Sequence, residues 1–229
     1  MHSKPLAAPL LWYPVELSFS LELLKTYVAE IEAQVERGIA EYQSGEAITV
    51  HYIDEDEDWS YAVAEHKGIH SGLWNLDSVF KDYLPNLQRR SALITLYSFL
   101  ENELDRLCKC IRTHENSALC LSDIADKGIA RATTYLIKVG GLSNVRNCTQ
   151  WQEIKNIQDI RNLIVHADGR IPEADASRRS KLLAYINASP HLEAAQVVKL
   201  HSGYLAHSLE TFTAFFGEIH AQLQRRYGD

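Results

Sequence analysis

The chain has 229 residues, 46% of them hydrophobic, which is enough to bury a full core and points to one elaborated domain over residues 1–229. Its formal net charge of -7 repels phosphate backbones at long range and argues against a sequence-specific duplex binder, so a nucleic acid would have to meet a local basic patch. The four cysteines, Cys108, Cys110, Cys120 and Cys148, have no paired CxxC spacing, which indicates neither a zinc knuckle nor a disulfide framework and fits a reduced, cytoplasmic setting.

In the first fourteen residues, Pro5, Pro9 and Pro14 interrupt a short apolar run and no small-residue cleavage site follows. No stretch is apolar enough to span a membrane, so no membrane association is expected. Leu17, Leu21, Leu24, Val28, Ile31, Val35 and Ile39, spaced by threes and fours, predict a helix over about 15–44 that Gly45 ends. The acidic run IDEDEDW (53–59) then reads as a solvated loop. The constellation Glu65, His66 and His70 lacks a third well-placed ligand and predicts no metal site.

Pro85 marks the start of a second long helix with the stripe Leu93, Tyr97, Leu100, Leu104, Leu107 and Ile111. Ser122 and Asp123 offer caps for a shorter helix that Gly140 and Gly141 stop. Thr149 and Gln152 have capping-box spacing for a helix running to about His166. The basic segment after Gly169 predicts a lid or insertion with a short helix at its centre, and HLEAAQVVKL a minor hairpin. Leu205, Leu209, Phe212, Phe216, Ile219 and Leu223 form the closing stripe. Four to five long helices with no credible sheet make an all-α, up-and-down bundle with small insertions the expected fold, its motif-bearing core at about 86–225.

The helix WQEIKNIQDIRNLIVHA carries the chemistry. Ile154, Ile157, Ile160 and Ile164 form its core stripe, but Leu163 and Val165 add apolar surface on both flanks of the last two turns. A two-fold dimer would cover them. Asn162 and His166 lie one turn apart on one side, while Arg161 falls near the core stripe, about 100° away from Asn162. A half-buried guanidinium needs a carboxylate, and Glu101 stands inside the second helix's apolar stripe, where it would pair with Arg161.

The string IRNLIVHADGRI resembles the RNxxxH signature of the HEPN (higher eukaryotes and prokaryotes nucleotide-binding) superfamily, and LYSFLENELDRLC resembles the acidic helix that precedes it. Arg-x4-His spacing is common by chance in a chain with 10 histidines, and its context supports it here. The resemblance implies a bundle with a metal- and cofactor-independent ribonuclease site at a homodimer interface, in a toxin or antiviral defence effector. It assigns catalysis to Arg161, Asn162 and His166, with Glu101 as the fourth member. It also admits a catalytically silent module that binds a nucleotidyltransferase partner or a nucleotide; for an active toxin, an antitoxin is a further expected partner.

The residue types suit the reaction. Cleaving RNA without metal means removing a proton from the 2′-OH, protonating the leaving 5′-oxygen and stabilising charge on the phosphorus centre. His166 can serve as base or acid, and Arg161 is a permanent cation with a planar fork for phosphate. Asn162 would orient His166 or touch the phosphate, and two protomers could divide acid and base duties. The expected products carry 2′,3′-cyclic phosphates and 5′-hydroxyls. Arg170, Arg178, Arg179 and Lys181 follow the motif and would guide single-stranded RNA to it.

Overall fold

The computed structural model describes residues 8–45, 48–56, 59–172 and 176–228. The chain opens with α1 (Ala8–Ser44), whose inward stripe Leu10, Tyr13, Leu17, Leu21, Val28 and Val35 is buried. This helix begins well before residue 15. Pro9 stands in its first turn, where a missing N–H costs nothing, and only Pro14 gives up an internal hydrogen bond. Gly45, at φ +72°, ends it as expected.

The next segment corrects two expectations. Residues 48–66 form an antiparallel hairpin of β1 (Ile48–Asp56) and β2 (Trp59–His66), to which β3 (Ile69–His70) adds a short third strand. The acidic run is therefore strand up to Asp56, with residues 57 and 58 outside the described set, and the fold does contain a small sheet. Thr49, Val50, Tyr52 and Ile53 supply strand-favouring side chains ahead of the acids, and charged residues suit the edge position that β1 occupies. His66 is buried, its ring edge-on to Tyr42 and Phe80 with centroids 5.3 and 4.4 Å away, so it fastens the sheet to the end of α1.

A π-helical turn, Ser78–Tyr83, runs into α2 (Leu84–Glu115) with Pro85 at its start. Leu93, Leu96, Tyr97, Leu100, Leu104, Leu107 and Ile111 of α2 are fully buried, each stabilising the fold by about 1.5–3 kcal/mol. Around this helix pack α1, α3 (Gly128–Lys138), α4 (Thr149–Ala167) and α6 (Tyr204–Tyr227). The short α5 (Ala176–Ala188) lies against α4, followed by a second hairpin of β4 (Leu192–Ala194) and β5 (Val198–Leu200). The protein is thus mostly helical, with six α-helices and two small β-sheets among the described residues. None of these helices is long and apolar enough to cross a membrane.

The first turns of α2 bury polar groups that the apolar patterning does not reveal. Asn86 donates from Nδ2 to Val198 O at 3.1 Å and accepts at Oδ1 from Leu200 N–H at 3.0 Å, in effect adding its amide to β5. Arg89 forks the Glu32 carboxylate of α1, with Nη2 2.7 Å from Oε2. Arg90, itself buried, reaches Asp168 just past α4, with Nη2 2.5 Å from Oδ1. Asn86, Arg89 and Arg90 each bond across an element boundary, although Arg90 Nε is left without a partner, so α2 fixes the angles of its neighbours as well as their packing.

Candidate functional site

Both ends of α4 are set by local geometry. Cys148, in extended conformation, occupies the N-cap position and Thr149 is the first helical residue, so the capping box expected from Thr149 and Gln152 does not form and no side-chain cap bond replaces it. At the other end Asp168 adopts the left-handed conformation at φ +50°, and Gly169 N–H donates back to Leu163 O at 3.0 Å, closing a Schellman-type turn. Glycine is the usual choice there. Aspartate is favoured here by its bond to Arg90, which holds the Asp168 carboxyl below the usual carboxylate range. Gly169 O also accepts Val198 N–H at 2.8 Å, so α2 and β5 together anchor the turn that carries His166.

Arg161 is enclosed as its place near the stripe requires. Its Nη2 lies 3.6 Å from Glu101 Oε2, an ion pair longer than a hydrogen bond. Its Nη1 donates to Asn162 Oδ1 at 3.0 Å. The guanidinium sits over the Tyr97 ring, 5.2 Å from the centroid, a cation–π contact with a second residue of α2. Glu101 is half-buried: burial raises its pKa, Arg161 opposes that rise and Asp105 adds to it, the first outweighing the attraction. Burial, followed by the Glu101 charge, also pushes the Tyr97 phenol far up, keeping it neutral.

Two participants escaped the motif reading. Tyr97 has a sequence signal, standing one turn before Glu101 and therefore on the same face of α2. Gly128, the first residue of α3, sits against the carboxylate; a Cβ built there would lie 2.8 Å from Glu101 Oε1. Nothing in the local sequence announces that contact.

The remaining expected residues distribute differently. Asn162 spends its oxygen on Arg161 rather than on orienting His166. His166 is exposed, and among the described residues no hydrogen bond or ion pair engages its ring. Arg161 and His166 are five residues apart, roughly 7.5 Å of rise and about 140° around the helix, so they occupy different sectors of α4. Arg170 is exposed beyond the cap. Arg179 lines a shallow hollow on α5 with Ser180, Leu183 and Asn187, whereas Lys181 faces α4 beside Asp159 and Leu163. The side chain of Arg178 lies outside the described set.

The argument that both apolar flanks of α4 await a second chain needs correction. Leu163 is only 5% exposed, because Leu182 of α5 and Pro172 cover it from within the same chain. Only Val165, at 45%, remains open. Among the described residues no group of His, Cys, Asp and Glu is arranged to hold a metal.

In comparisons with known proteins, the chain matches no family model, no curated protein and no solved structure. Function must therefore be argued from this geometry.

Proposed function

We propose that the chain is a metal-independent endoribonuclease of the HEPN kind, acting as a homodimer whose paired α4 helices form the site. The observation that carries this reading is the oriented Arg161, held by Glu101, Asn162 and Tyr97 five residues before the solvent-open His166. A cation fixed before substrate arrives costs no reorganisation when charge develops on phosphorus. An unengaged imidazole is available to take or give the proton. Because Arg161 and His166 of one chain occupy different sectors, a second copy supplies the missing proximity: at the two-fold seam both His166 side chains and an Arg161 meet one phosphate. In the reaction one His166 removes the 2′-OH proton, the 2′-oxygen attacks phosphorus, and the 5′-oxygen departs with a proton from the second His166. A toxin or defence effector restrained by an antitoxin is the biological setting we infer.

The test is cleavage of labelled single-stranded RNA and of tRNA in EDTA, by wild type, His166→Ala and Arg161→Ala. EDTA-resistant cleavage with cyclic-phosphate ends, lost in both variants, is the expected result. A purified wild type that cuts neither RNA, or variants that cut equally well, would leave a silent interaction module as the better account.

A further inference from the structure

A groove of about 460 Å³ runs between α4 and α5, lined by Gln152, Lys155, Asn156, Asp159, Lys181 and Tyr185. It continues into a hollow of about 60 Å³ between Asp159, Leu163, Pro172 and Lys181, which leads toward the turn bearing His166. From Gln152 to His166 the helix rises roughly 21 Å, room for several nucleotides of an extended strand.

We propose that this groove is the track along which single-stranded RNA reaches His166, with Lys155 and Lys181 on its phosphates. The proposal rests on the ribonuclease reading and specifies its substrate path.

Three observations support it. First, the groove separates the basic residues: 181 lies about 200° around α5 from 179, so Lys181 enters the groove while Arg179 faces the hollow on its other side. Second, the floor is ordered in advance. Gln152 Nε2 donates to Asn156 Oδ1 at 3.2 Å, Asn156 Nδ2 to Glu153 Oε2 at 3.2 Å, and Tyr185 OH to Glu153 Oε1 at 2.6 Å. His207 Nε2 meets the same Glu153 oxygen at 2.7 Å, tying α6 into the set. Such amides present fixed edges to unstacked bases. Third, packed helices lie about 8–10 Å apart, too narrow a seam to seat a duplex. Lys155 Nζ rests on Gln158 Oε1 and would exchange that neutral partner for phosphate. Asp159 at the groove lining, two turns before His166 on the same side, repels phosphates that settle beside it, whereas the Glu153 carboxylate below is engaged by Asn156, Tyr185 and His207.

The test uses full-length protein and a fluorescein-labelled single-stranded RNA with 2′-O-methyl riboses, which cannot be cut by 2′-OH attack. Binding is followed by polarisation across a salt series. The Lys155→Gln/Lys181→Gln double variant should lower the salt slope by about 1.4, roughly 0.7 per lysine, or about fivefold in affinity per lysine at 0.1 M salt relative to 1 M. Asp159→Asn should tighten binding, and Lys25→Gln, at an exposed position of α1, should leave it unchanged. All these side chains are surface-accessible, so unchanged melting verifies folding. An unaltered Kd and slope in the double variant, or an equal loss in Lys25→Gln, overturns the proposal. Cleavage of unmodified RNA in EDTA is read on the same samples. Binding that ignores the lysines beside cleavage that still needs His166 sinks the groove and spares the nuclease; a wild type that neither binds nor cuts removes both.

Discussion

Gly128→Ala tests whether the Arg161 site is braced from α3. In most helices this change stabilises, because alanine is favoured over glycine by about 0.8–1 kcal/mol in a helix interior. Here two effects oppose it. Gly128 stands at φ +52°, where a side chain costs roughly 1–2 kcal/mol, and it occupies the first helical position, where propensity counts least. The new methyl would also lie 2.8 Å from Glu101 Oε1 and push the carboxylate from its place beside Arg161. The carboxylate is the far end of a flexible side chain, so it moves rather than clashes, and the backbone term sets the sign. A net loss of about 1 kcal/mol corresponds to a melting point lower by about 2–4 °C in a chain of this size. Thermal unfolding followed by circular dichroism reads this directly. EDTA-resistant RNA cleavage should fall more than the small unfolded fraction explains, since Arg161 loses its brace. A melting point that is unchanged or higher refutes the reasoning.

Other perturbations separate charge from packing. Glu101 has a folded-state pKa above its unfolded value, so its contribution to stability is fully present below the unfolded pKa and is lost as pH rises through the folded one. Glu101→Gln should flatten that part of the denaturation profile while reducing RNA cleavage; a variant that keeps the wild-type pH dependence would contradict the burial argument. Asp168 has the opposite sign. Its depressed pKa gives stability above the unfolded value that disappears as pH falls through the folded one, so Asp168→Asn, which tolerates the left-handed backbone, should be weaker than wild type at neutral pH and converge with it in acid. Leu100→Ala, at a fully buried site in α2, should cost about 2–5 kcal/mol, seen as a lower denaturant midpoint with little change in slope.

Much of the site was legible because it breaks a pattern. Glu101 interrupts an apolar stripe on one helix and Arg161 approaches the stripe of another, and two such exceptions satisfy each other most simply by meeting, as they do at 3.6 Å. The helices were legible for the complementary reason, since the apolar spacing runs the length of α4 and α6 and resumes in α2 past Glu101. What could not be seen depends on partners remote in sequence. Asn86, Arg89 and Arg90 carry no signal in the apolar spacing, yet they are buried because β5, Glu32 and Asp168 complete them. The β1–β2 hairpin was hidden by its acids, whose charge suggests a loop while the backbone pairing that makes a strand is indifferent to it. Lys181 and Arg179 look equivalent in a string, and only the helical turn of α5 separates them.

The cover that α5 places over Leu163 has a directional consequence. It acts as a wall along one side of α4, while α2, beneath Arg161, closes the other. Along the last turns of α4, what stays open is a strip holding Asn162, Val165 and His166. A partner that pairs along these turns must meet that strip, so the chain itself prescribes its angle of approach, and Val165 stands at the threshold.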